Sequence, residues 1–187
     1  RGLGDVYKRQ GIVRRIDDLG RVVIPKEIRR TMRIREGDPL EIYTDSDGEV
    51  IFKKYSPIGE LGTFSHQYAD VLFKVSGNPV VVCDRDHVIA VSGIPKKEML
   101  ERRIAPELED LMEKRKNYLR DRQNSVPGMQ PVEGVDRYAL AAMPILAAGD
   151  VCGAILMMDG DSPSEDAADN SKLMQAAALF LGRQMEE

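Results

Sequence analysis

The chain has 187 residues, 42% of them hydrophobic and 31% charged, with a formal net charge of −4. That length and balance suit one domain or two small ones with a real core, and they exclude wholesale disorder. An acidic total also rules out a uniformly basic nucleic-acid coat protein, so polyanion binding has to come from a local patch.

Residues 1–10 lack an initiator Met and share no periodicity with the pattern that begins at Gly11, and are expected to be a non-native leader outside the fold. The segment 11–35, GIVRRIDDLGRVVIPKEIRRTMRIR, holds the patch. Its basic residues are Arg14, Arg15, Arg21, Lys26, Arg29, Arg30, Arg33 and Arg35, opposed only by Asp17, Asp18 and Glu27, a local net of +5. Seven of the eight are Arg, whose planar fork places two donors on a phosphate or a guanine edge where Lys offers a point charge. Residues 12–16 read as a strand, 17–20 as a turn ending at Gly20, and the β-branched 21–24 as a second strand. Pro25 suits the first turn of a helix over about 26–32, with Ile28 and Met32 facing inward.

Strand-like residues 40–43 and 49–55 flank Asp45-Ser46-Asp47-Gly48, a hairpin turn. About 45 residues without a disulfide or a metal bury too little surface to be stable alone, and an intertwined dimer is the physical solution. Charge segregates too, because residues 36–54 carry Lys53 and Lys54 against six carboxylates, a net of −4.

From Ile58 the period changes to three- and four-residue steps through Leu61, Phe64, Tyr68, Val71, Leu72 and Val75, a helix ended by Asn78-Pro79. An α+β unit follows. Strands are expected at 80–83 and 87–91 around an Asp84-Arg85-Asp86 turn, then helices at 96–103 and 106–122 and a loop at 123–136. Strands at 137–146 and 151–158 pair next. The apolar run 139–148 is broken by Pro144 and is far short of the ~20 residues that span a bilayer, so no membrane segment is expected and the protein reads as cytoplasmic. A last helix, about 165–185, carries Met174, Ala177, Ala178, Leu181 and Met185 on one stripe, which suits either its own sheet or a partner's helix. The resulting division is 11–55, a linker helix at 56–77, and 78–187.

Cys83 and Cys152 sit in apolar strand-like runs and read as buried free thiols. With His66 and His87 they lack the paired spacing of a zinc site, and no metal or cofactor is expected. Ser92-Gly93 has no assignable base, and Asp84-Arg85-Asp86-His87 is better read as a turn than as part of a triad, so no catalytic residue is expected and the chain reads as a non-enzyme.

The ordered set Leu-Gly-Arg, Val-Val-Ile-Pro, Glu-Ile-Arg-Arg and Gly-Asp-Pro-Leu-Glu-Ile within 11–55 resembles the AbrB family of swapped-hairpin transcription factors. KKYSPIGELG, VVVCDRDHVIAVSGIPKKE and FLGRQME extend the likeness to sporulation regulators that join an AbrB-like domain to a GAF domain. The resemblance implies an α+β fold: an N-terminal swapped-hairpin β-barrel formed by an intertwined dimer, then a GAF domain with flanking helices. It implies binding of double-stranded DNA through Arg14, Arg21, Arg29 and Arg30, with Arg15 and Arg33 divided between DNA and plain surface. It also implies a homotetramer built as a dimer of dimers, and control of genes late in spore development. The GAF part is either a small-molecule sensor or an oligomerisation scaffold. A pocket would open between residues 123–137 and Val82, Ile89, Met143 and Met157, which otherwise read as core. An antitoxin sharing the swapped hairpin is the alternative, disfavoured because antitoxin tails are short and disordered whereas 71–187 is patterned throughout.

Overall fold

The computed structural model describes residues 11–120, 128–160 and 170–186, and the chain divides into two compact units between Tyr55 and Ser56. The expected leader, residues 123–127 of the expected loop and residues 165–169 of the expected last helix lie outside the described residues.

In the first unit, Pro25 (φ −56°) immediately precedes α1 (Lys26–Met32), and Arg33 ends it in a left-handed conformation at φ 55°. Strands β1 (Leu40–Thr44) and β2 (Val50–Lys54) form an antiparallel hairpin with Ile42 opposite Phe52. Its turn is closed by Asp45, whose Oδ1 accepts the N–H groups of Asp47 (3.0 Å) and Glu49 (2.9 Å). The two strands expected at 12–16 and 21–24 do not form. Those residues lead into and out of the turn, and among the described residues the only backbone rung across it is Asp17 N–H to the Arg21 carbonyl at 3.0 Å. A strand exists only where a ladder satisfies its backbone, and among the described residues no strand of the same chain pairs with these segments. Ile28 and Met32, expected to face inward, are exposed, and α1 buries no residue.

The second unit has α2 (Gly62–Ser76), β3 (Val80–Asp84), β4 (Val88–Ser92), α3 (Lys96–Met99), α4 (Pro106–Glu113), β5 (Tyr118–Leu119), β6 (Ala139–Ala147), β7 (Asp150–Met158) and α5 (Ser171–Gln184). Its sheet runs β4-β3-β7-β6-β5, antiparallel at every step. Side chains alternate between two covered faces, as the period of two requires. Val80, Val82, Ala141, Met143, Ile155 and Met157 pack under α2 and α5. Val81, Cys83, Val88, Ala142, Ala154 and Leu156 pack under Met99, Leu108 and Met112 of α3 and α4 and under Met129 and Val132. A sheet buried on both faces explains why its strands read as nearly unbroken apolar runs.

Both middle helices are shorter than the pattern suggested. Leu100 turns extended and Glu101 left-handed (φ 64°), so the chain lies alongside β4, where Glu101 N–H reaches the Val88 carbonyl and Val88 N–H reaches the Arg102 carbonyl, each at 2.9 Å. Arg115 (φ 54°) likewise ends the helical run, which frees Tyr118 and Leu119 to pair with Ala142 and Ala141 of β6. The β6–β7 turn uses Ala148 (φ 49°) and Gly149 (φ 85°), the two positive φ values that a tight hairpin needs. Pro144 lies within β6 beyond the residues that β5 pairs, opposite Ala154 of β7.

The α5 stripe of Met174, Ala177, Ala178 and Leu181 packs on its own sheet. Small residues there permit close approach, closest at Gly182, where a Cβ would collide with the Leu146 carbonyl oxygen. Gly182→Ala is therefore expected to cost roughly 1–3 kcal/mol, by overpacking. Gly62→Ala, at a helical position in open space, should stabilise by roughly 0.4–1 kcal/mol. Thermal unfolding of the two variants checks the contrast.

Candidate nucleic-acid interface

The basic segment is organised by a turn. Asp17 Oδ1 accepts the N–H groups of Leu19 (2.9 Å) and Arg21 (2.8 Å), and the Gly20 N–H donates to the Asp17 carbonyl at 3.1 Å. Gly20 takes φ 77°, which the glycine permits without strain. Arg14 and Arg15 lie on the limb entering the turn and Arg21 on the limb leaving it, all three exposed. Arg14 Nη1 donates locally to the Val13 carbonyl at 3.1 Å. The Arg21 Nε–H reaches Asp17 Oδ2 at 2.8 Å. These bonds, the Arg21 backbone N–H first and its side chain second, hold the Asp17 carboxyl below its ordinary range and keep it ionised.

The exit limb passes through Pro25 into α1, and Arg29 and Arg30 are exposed on that helix. Arg29 Nε–H donates to the Ile24 carbonyl at 3.1 Å, so its side chain lies back over the helix start toward the exit limb. Arg33 differs from the others, being half-buried at the helix end. The Lys54 ammonium of β2 donates to the Arg33 carbonyl at 3.0 Å, satisfying a C-terminal acceptor that the helix cannot. Arg14, Arg15, Arg21, Arg29 and Arg30 therefore lie on one continuous, solvent-facing path of turn and short helix.

Two features of this site carry no signal in the sequence. The Asp17–Arg21 pair is hidden because an i,i+4 spacing suggests a helical pair, and only the turn brings the two together another way. The Lys54–Arg33 contact joins residues 21 apart and has no local signature.

In the second unit, Val82, Met143 and Met157 are buried beneath α2 and α5, with Ile89 packed against them. Residues 129, 132 and 135 of the expected pocket loop lie on the opposite face of the sheet, and residues 123–127 of it lie outside the described residues. Cys83 and Cys152 are free and face opposite sides of the sheet. Burial pushes both thiols up, Cys152 to about 12, which makes them poor nucleophiles. Asp84 Oδ1 accepts the N–H groups of Asp86 and His87, both at 2.7 Å, in a plain turn. Among the described residues there is no group of three His, Cys, Asp or Glu that could hold a metal ion, and no helix is long and apolar enough to cross a membrane.

Residues 60–186 match the family model described as stage V sporulation protein T C-terminal, transcription factor, and residues 13–59 match that described as antidote-toxin recognition MazE, bacterial antitoxin. The chain is 52% identical over 182 residues to stage V sporulation protein T of Bacillus subtilis (strain 168), covering 96% of this chain and 99% of that protein. It is 62% identical over 50 residues to the transition state regulatory protein AbrB of the same organism, covering 27% of this chain and 51% of that one. A type II free methionine-R-sulfoxide reductase from Thermoplasma acidophilum shares the fold alone, with a TM-score of 0.50 at 12% identity over 68% of this chain and 94% of its own. Fold and similarity together define a transcription factor, with an AbrB-like N-terminal unit and a second unit that matches the stage V sporulation protein T C-terminal model. The chain belongs to the stage V sporulation protein T family.

The cap on α1 is testable. Lys54→Met should lower stability by about 1 kcal/mol, the net worth of one hydrogen bond. Thermal unfolding read from a probe in residues 11–55 measures it.

Proposed function

We propose that this protein binds double-stranded DNA as an intertwined dimer and regulates genes used late in spore development. One observation carries the reading: within residues 11–55 a net charge of +5 on 11–35 coincides with apolar side chains that a single chain leaves in water. Val13 is 88% exposed, Ile16 70%, Val23 69% and Ile42 63%. Segments 12–16 and 21–24 gain their ladder, and these side chains their core, when a second copy interleaves its hairpin. Arg14, Arg21, Arg29 and Arg30 are the principal DNA contacts, each present twice per barrel, with Arg15 beside them. Arg33, half-buried at the helix end, contributes chiefly through its backbone. Phosphate neutralisation supplies most of the affinity.

The GAF-like unit extends the assembly. Phe64, Tyr68 and Phe180 join α2 to α5, with ring centroids 5.4–6.4 Å apart, while Val71, Val75 and Leu179 remain exposed on the two helices. That face suits a second homodimer contact and hence a dimer of dimers. A small-molecule ligand of this unit is the other arm of the proposal, and the burial of Val82, Met143 and Met157 favours the scaffold role. The match of residues 13–59 to an antitoxin model supports a second reading, a toxin-binding partner protein. The folded unit that follows residue 55, a sheet covered on both faces, favours the regulator, since it replaces the short tail such a partner uses.

For the full chain, affinity for a promoter-derived duplex should fall with salt, at about −0.9 in log–log slope per phosphate neutralised. Arg29→Ala should weaken binding and flatten that slope without changing the oligomer; a slope near zero in the parent protein would remove the arginines from the interface. Phe52→Asp should prevent assembly of the first unit, and sedimentation together with loss of duplex binding reports it.

A further inference from the structure

Asp17 is a carboxylate in the middle of the most positive stretch of the chain, where a negative charge opposes a polyanion. Its Oδ1 fixes the turn through two backbone N–H groups, and its Oδ2 takes the Arg21 Nε–H at 2.8 Å. One carboxylate thus holds both the backbone and the side chain of the same arginine. The pair is exposed, with Arg21 at 71% and Asp17 at 39%, and exposed ion pairs add little to stability. Holding the fold together therefore does not explain it. Holding the guanidinium still does: with Nε tied back, the Nη1–Nη2 edge is left as a pre-oriented fork of parallel donors. The side chains of Arg14 and Arg29 bond instead to backbone carbonyls, those of Val13 and Ile24.

We propose that Asp17 is a positioning residue for sequence specificity, holding Arg21 so that its Nη pair reads the O6 and N7 acceptors of a guanine in the major groove instead of swinging onto the nearest phosphate. The inference rests on the DNA-binding reading above. Asp17 gives up some general affinity for DNA and gains discrimination, because a fixed fork fits one base edge whereas a loose one follows any phosphate.

Asp17→Asn separates the two roles. An asparagine Oδ1 still accepts the Leu19 and Arg21 N–H groups, but its amide nitrogen cannot accept from Nε, so the turn survives and the anchor is lost. Binding of the full chain is measured to a duplex that it selects from a random-sequence pool, and to a shuffled duplex of the same composition. Asp17→Asn should lose about tenfold in affinity for the selected duplex, the scale of one two-donor base contact. Affinity for the shuffled duplex should hold or rise, because a negative charge has gone. Replacing guanine by 7-deazaguanine in the selected duplex should weaken the parent protein and leave Asp17→Asn indifferent. Arg21→Lys, which leaves the turn carboxylate untouched, should show the same loss of discrimination. On an Arg21→Ala background, Asp17→Asn should affect both duplexes alike and cost no further discrimination.

An equal loss on both duplexes would make Asp17 a support of the turn only, and an equal gain would make it a charge penalty only; either result overturns the proposal. If Arg21→Ala binds both duplexes as the parent does, the arginine assignment itself fails. If Arg21→Ala weakens binding while Asp17→Asn keeps its discrimination, only the role of Asp17 falls.

Discussion

Among its described residues the first unit has no core of its own. Of residues 11–55 only Pro25 is buried, while Ile12, Val13, Ile16, Leu19, Val22, Val23, Ile28, Met32, Ile42, Tyr43, Val50, Ile51 and Phe52 are all substantially exposed. So much apolar surface cannot stay in water in a stable fold, since hydrophobic burial is the main term that offsets chain entropy. The arginines sit on this same short stretch. Whatever supplies the missing core therefore also sets the spacing of the charges.

The second unit meets the same demand by itself. Its sheet is covered on both faces, by α2 and α5 on one side and by α3, α4 and residues 129–132 on the other. Half-buried ion pairs pin its periphery, Arg120 to Asp159 at 3.0 Å and Arg137 to Glu98 at 3.1 Å. A self-sufficient unit thus follows one that is not.

What could be read in the sequence depended on whether the answer lay nearby. Pro25, the turn signals Asp45–Gly48 and the apolar runs of β3, β6 and β7 announced α1, the first hairpin and the buried sheet, because their causes are local. Residues 12–16 and 21–24 carried strand patterning, yet patterning does not say which chain holds the other half of the ladder. The helix expected over 106–122 stopped at Glu113 because pairing of Tyr118 with Ala142, a contact 24 residues away, outweighed a weak charged-helix propensity. The α5 stripe suited either its own sheet or a partner's helix, and the burial of its residues against the sheet, with Gly182 close to β6, shows it on the sheet. Each arginine of the candidate interface could be named in advance. How Arg21 is held could not, since the turn geometry decides it.

Pro144 has a consequence beyond its place in β6. Past Ala142 the strand has outrun β5, so that side of the sheet is an open border, and a proline there lacks the N–H that an incoming strand would need. Residues 101–104 shield the opposite border by bonding along β4. A sheet as apolar as this one, with bare borders, would be a template for runaway strand addition between molecules. Blunted at both borders, the sheet offers a second molecule little backbone on which to extend it.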